Sequence, residues 1–233
     1  MRDLPPPLPP EQRTVGQLVA ETIRAFGADF WRVLPLGLPL AVADQLSVRQ
    51  TALVQMLVFW ATLPLFVAAY LWACRLVLRA APTLVAAGVA AVIWLPFPAL
   101  RAAFVLPALA WLAFIGLAVP AAMVEKLRFR DALYRGRQLG TADFVHALGS
   151  LAALVVVVGI AANTLSALLH TQGDNGQRVA VFLSDLVLSP LLFVGGALLY
   201  VDQSARAVRS ADADLHPPLD PDPARRPDAQ VES

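Results

Sequence analysis

Val124–Phe144 reads VEKLRFRDALYRGRQLGTADF and sets Lys126, Arg128, Arg130, Arg135 and Arg137 between two long, nearly uncharged segments. On its N-terminal side, Ala80 to Val124 is 45 residues with a single charge, Arg101. As one helix this run would be about 68 Å long at about 1.5 Å per residue, more than twice the roughly 30 Å hydrocarbon thickness of a bilayer. It must double back. Pro96-Phe97-Pro98-Ala99-Leu100-Arg101 marks the place, because two prolines break a helix and an arginine marks water. The predicted spans are therefore about 82–97 and 102–123. On the C-terminal side, about 145–169 and 179–200 are two more, joined by the polar turn His170–Gln177.

The composition agrees. Hydrophobic residues make up 58% of the chain and charged residues 15%, and the mean hydropathy is +0.64. A soluble globule of this length could not hide that much apolar surface. Towards the N-terminus, about 51–76 is a further span, and about 33–46 is a short one, crossing or re-entrant, kinked by Pro35 and Pro39 and flanked by Trp31. Thr14-Val15-Gly16-Gln17 has the spacing of a capping box and opens an amphipathic helix over about 14–30. The basic stretch supplies a second over about 126–142. The fold class predicted is all-α: a polytopic helical membrane bundle with about six transmembrane helices and two amphipathic interfacial helices, over 14–206. Residues 1–13 carry five prolines between Pro5 and Pro10, and 207–233 are proline-rich and acidic; both read as disordered tails.

Six spans place fifteen of the eighteen Lys and Arg residues on one side and three, Arg49, Arg101 and Arg178, on the other. Positive charge stays in the cytoplasm, so the expected location is the cytoplasmic (inner) membrane of a bacterial cell, multi-pass, with both termini cytoplasmic. No secretory signal peptide is recognised. The single cysteine, Cys74, lies in an apolar run and reads as a packing residue.

A weak internal repeat is present. GADFWRVLPLGLPL at Gly27–Leu40 aligns with TADFVHALGSLAAL at Thr141–Leu154 through five identities, among them Ala28-Asp29-Phe30 on Ala142-Asp143-Phe144. A true duplication and two interfacial helices meeting the same physical demands both account for it.

Asp185 is the acidic residue well inside an apolar span, where an aspartate costs roughly 2.5–3.5 kcal/mol on insertion scales. With Asp44, Asn163 and Arg178 it forms a candidate polar cluster in the outer half of the bundle, either a proton or substrate site or a structural set of ion pairs and hydrogen bonds. Lys126, Arg128, Arg130, Arg135 and Arg137 are candidate contacts to anionic headgroups, at about 1 kcal/mol each. No metal site is expected, since His146, His170 and His216 lack ligand spacing. No GxSxG, Walker or HExxH motif occurs, no cofactor is implied, and a net charge of +1 gives no reason to expect nucleic acid.

FRDALYRGRQLGTADFVHALGSLAAL (Phe129–Leu154) and ALLYVDQSAR (Ala197–Arg206) resemble uncharacterised multipass membrane proteins of the actinobacterial type. These in turn are similar to the membrane domain of glycerophosphoryl diester phosphodiesterases. Tyr200 and Asp202 match an LLYYDLR-like terminal signature of that domain, and Gln203 stands where it has a hydrophobic residue. The resemblance spans about 14–206 and implies the architecture without the soluble catalytic domain, hence no enzyme activity. The first functional expectation is a non-catalytic membrane scaffold or accessory subunit, meeting a membrane-protein partner or a second copy of itself in the bilayer. The alternative is a transporter or lipid-handling protein using the polar residues around Asp185.

Overall fold

The computed structural model describes residues 9–103, 105–169 and 173–215; the tails expected over 1–8 and 216–233 lie outside them. The described residues are helical with no strand. The α-helices are α1 Val15–Ala28, α2 Phe30–Val33, α3 Leu38–Ser47, α4 Ala52–Ala61, α5 Leu63–Leu78, α6 Leu84–Trp94, α7 Phe97–Ala103, α8 Val105–Ile115, α9 Ala118–Val124, α10 Phe129–Ala142, α11 Phe144–Leu169, α12 Gly173–Leu188 and α13 Pro190–Leu215. The all-α expectation holds.

The count of spans does not reach six. Among the described residues three helices are long and apolar enough to cross a membrane, Val105–Val124, Phe144–Leu168 and Arg178–Ser210, or up to five if each of two bent pairs is one span. One bent pair is Val15–Ala28 with Phe30–Ser47, turned by 98°. The amphipathic helix expected over 14–30 and the short first span thus meet at a sharp bend, the form of a broken span or of a re-entrant loop. Asp29, at φ −120° and ψ 33°, ends α1, and the ten residues of α3 are too few to cross alone. Leu84–Leu100 is the other short apolar helix; at about 1.5 Å per residue it is about 25 Å long. Pro10–Gln12 forms a 3-10 turn, and α13 runs to Leu215, tied to the bundle at its middle turns by Asp202, Gln203 and Arg206.

Each break has a chemical cause. Pro64 follows Thr62, whose hydroxyl donates to Val58 O at 2.9 Å, and Pro190 follows Ser189, whose hydroxyl donates to Asp185 O at 2.6 Å. In both, the proline has no N–H with which to continue the helical ladder, and a hydroxyl ties the turn before it. Where α6 stops ahead of Pro96 and Pro98, Ile93 O and Leu95 O accept from the indoles of Trp111 (2.9 Å) and Trp60 (3.0 Å). Glycines set the closest approaches: a Cβ on Gly37 would strike Leu186 O on α12, and one on Gly136 would lie 2.5 Å from Ala118 N.

The capping box forms as expected, with Gln17 N on Thr14 Oγ1 and Thr14 N on Gln17 Oε1. The repeat gains a structural counterpart: α1 and α10 are both 14 residues long, both end on the Ala of ADF, and both bury the first two positions of one face, Leu18 and Thr22 in α1, Ala132 and Gly136 in α10. The core is built around α5, α6, α9 and α13, with a second cluster where α1, α8, α11 and α13 meet. Leu84, Val145 and Ile160 are more than half exposed, as expected of side chains that face lipid.

Candidate functional site

Tracing the four candidate polar residues separates them. Asn163 is exposed and its Nδ2 donates to Gly159 O of its own helix at 2.8 Å, a local bond that asks for no second helix. Arg178 is exposed, and its backbone carbonyl accepts from Gln45 Nε2 at 2.8 Å, which joins the start of α12 to the end of α3. Asp44 sits on α3 beside that junction and has a partner of its own. Asp185 lies two turns further along α12, partly buried, in the wall of a cavity.

That cavity has a volume of about 380 Å³ and lies between α5, α6, α8, α11 and the α12–α13 helix. The volume falls in the roughly 300–1,000 Å³ range of small-molecule sites. On α11 the lining runs from Leu151 to Ala162, and on the facing side from Val105 on α8 to Leu117 just before α9. At about 1.5 Å per residue it is a slot about 17 Å long, roughly half of a hydrocarbon core of about 30 Å. Its walls are aliphatic and aromatic. Tyr70 Oη donates to Gly116 O at 3.2 Å and Ser189 Oγ to Asp185 O, so both hydroxyls are turned onto backbone. Asp185 is the one charged residue in the lining among those described. Sequence reasoning singled out Asp185 and missed the aromatic wall, for which the i,i+4 pair Phe66/Tyr70 and the i,i+3 pair Trp94/Phe97 were the available signals.

A second polar assembly sits at the end of the bundle that carries α10. Arg13 Nη1 meets Asp202 Oδ1 at 2.8 Å, and Arg206 Nη1 meets Asp143 Oδ2 at 2.8 Å. Arg206 Nη2 also donates to Arg13 O at 2.6 Å, and Gln203 Nε2 to Asp143 O at 3.1 Å. Asp143 Oδ1 in turn accepts from His146 N, so the Asp of the ADF motif caps α11 and holds α13 together. Asp202 and Gln203 are wholly buried. The departure at Gln203 therefore has a role here, reaching the elbow between α10 and α11. Nearby, Tyr200 Oη and Arg135 Nε both donate to Glu125 Oε1 at 3.1 Å.

The five basic residues divide accordingly. Arg135 is taken by Glu125, and Arg137 lies over the Phe114 ring at 5.8 Å. Lys126, Arg128 and Arg130 are exposed at the N-terminal end of α10, whose opposite face is buried through Ala132, Gly136, Leu139 and Gly140. Replacing Lys126, Arg128 and Arg130 together by Gln removes about 1 kcal/mol of surface attraction apiece. Lipid analysis of the purified chain should then show loss of bound anionic lipid at unchanged thermal stability. Arg135→Gln should do the reverse. Among the described residues no three of His, Cys, Asp and Glu converge on a metal position.

Fold and cavity together define an all-α bundle with helices fit to cross a membrane and an internal space of ligand size. Comparison with protein-family models, curated protein sequences and solved structures gave no match.

Proposed function

We propose that this chain is a multi-pass protein of the bacterial cell membrane, with the α10 end towards the cytoplasm, that binds an amphiphile in its intramembrane cavity as a lipid-handling protein or transporter, without catalysis. The observation that carries this is the cavity: apolar, about 380 Å³ and elongated along the helices, with one carboxylate in its wall. A slot of about half the hydrocarbon thickness fits one apolar chain from one leaflet. The cytoplasmic side is supported by the basic residues gathered at that end, Arg13 and Arg206 with Lys126, Arg128, Arg130, Arg135 and Arg137, and the resemblance to a phosphodiesterase membrane domain lends the reading an architecture and no activity.

Gly159 gives the test. It lines the cavity and a Cβ there meets nothing within 4 Å, so Gly159→Phe adds bulk at the slot from a position with room for its first carbon and replaces the poorest helix former but proline. The full-length chain, purified in mild detergent and weighed by native mass spectrometry, should retain a lipid-sized mass. Gly159→Phe should lose it by tenfold or more at unchanged thermal stability. Equal retention by both chains, or none by the wild type even after lipid is added back, would sink the reading.

A scaffold or accessory subunit draws on a different observation, the outward charge of Lys126, Arg128 and Arg130. It expects a co-purifying protein released by the triple Gln variant and indifferent to Gly159→Phe.

A further inference from the structure

We propose that the ligand of this cavity is a lipophilic cation, a bulky organic ammonium or phosphonium-like group carried on an apolar body; the inference rests on the cavity being a ligand site. Five aromatic side chains line it: Phe66, Tyr70, Trp94, Phe97 and Phe193. They come from three separate parts of the chain and meet at Trp94. Its ring centroid lies 4.8 Å from Phe97, 5.3 Å from Phe66, 6.0 Å from Phe193 and 6.5 Å from Tyr70. Aromatic faces carry negative quadrupole density, and a cation within about 6 Å of a ring centroid is attracted most strongly where water is excluded. The Tyr70 hydroxyl is held by Gly116 O, which leaves its ring as wall.

Asp185 adds a carboxylate to the same lining. A carboxylate in a membrane interior is expensive, and in low dielectric it attracts a cation far more than in water. Asp185 already has an interaction within the protein, and a carboxylate offers about four acceptor positions in all. The same wall disfavours the other charge classes. An anion would face both the carboxylate and the ring faces. A hard inorganic cation takes six or more oxygens, whereas the lining supplies one carboxylate and two hydroxyls already turned onto backbone.

The experiment uses the full-length chain in nanodiscs of neutral lipid and isothermal titration with tetraphenylphosphonium and tetraphenylborate, ions of nearly one shape and opposite charge. Tetraphenylphosphonium should bind saturably and tetraphenylborate should not. Asp185→Asn should weaken the cation about tenfold or more, and Phe97→Leu by several-fold, both at wild-type thermal stability. If either variant fails to fold, Gly159→Phe serves as the second test and should abolish cation binding. Equal binding of the two ions, or an Asp185→Asn affinity equal to the wild type, overturns the proposal. In that event, a neutral lipid still retained and still displaced by Gly159→Phe keeps the cavity as a ligand site, while loss of every apolar ligand removes both readings. The source of the cation is read from the native mass spectrum: an ammonium-headed lipid carried through purification assigns the bilayer, and uptake of the soluble probe alone assigns a dissolved amphiphile.

Discussion

Gly136→Leu is expected to leave no monodisperse protein in detergent. The position faces α9 at backbone distance: an added Cβ would sit 2.5 Å from Ala118 N and from Ala118 Cβ, and one turn on, Gly140 faces the carbonyls of Ala113 and Phe114. Side chains yield to such intrusions by changing rotamer, but helix backbones do not. The cost should reach or exceed the upper end of the about 1–3 kcal/mol typical of overpacking. Close backbone contact through small residues is also how helices associate where lipid removes the hydrophobic drive between them. Gly136→Ala should show a partial loss. Gly16→Leu, with nothing within 4 Å of its Cβ, should behave as wild type. Fluorescence-detected size exclusion of tagged chains makes the comparison directly, and a wild-type profile for Gly136→Leu would contradict the described α9–α10 contact.

Arg13→Leu should be nearly as damaging by a different route. Asp202 is wholly buried and its carboxylate meets Arg13 at 2.8 Å, with the Arg13 side chain only 14% exposed. Taking one partner from a buried pair leaves a desolvated charge, an effect of about 3–5 kcal/mol, or a fall in melting temperature on the order of 10 °C for a chain of this size. The double variant Arg13→Leu with Asp202→Leu should recover most of that loss, since an apolar pair of similar volume leaves no charge to compensate. Melting curves of the four chains form a double-mutant cycle. Additive losses would mean that the two residues do not act as a pair.

The sequence showed helix and lipid clearly because both are one-dimensional signals: runs of apolar residues, prolines where they stop, arginines where water begins. Thr14 as a cap and the elbow at Asp143 were legible for the same reason. The number of spans was less so, because a run such as Val33–Leu46 has the composition of a span without its length, and the 98° turn after Ala28 depends on packing of α1 against α11 and α13. Among the candidate residues, Asp185 stood out by its cost in lipid. Asn163 shared its depth but turned to its own helix, and depth alone cannot distinguish the two. The residues that tie the structure together, Arg13, Asp143, Asp202 and Arg206, looked like ordinary interfacial charge, since they pair across 189 and 63 positions. The aromatic wall was hidden for a related reason, Phe66, Trp94 and Phe193 being neighbours only once three helices are in place.

The pairing of Arg13 with Asp202 joins residues 189 positions apart, and Arg206 reaches the backbone of Arg13 across 193. During synthesis at about 5–20 residues per second, the partner of Arg13 emerges about 10–40 s after it. Through that interval α1 has neither Asp202 nor the face of α13 to lie against. Its amphipathic pattern lets it wait at the membrane surface as a helix, held by lipid and then by α11 until α13 inserts. Closure of this end then follows insertion of α13, and a chain truncated before Asp202 should keep its early helices inserted with α1 resting on α11 but lacking the Arg13–Asp202 tie.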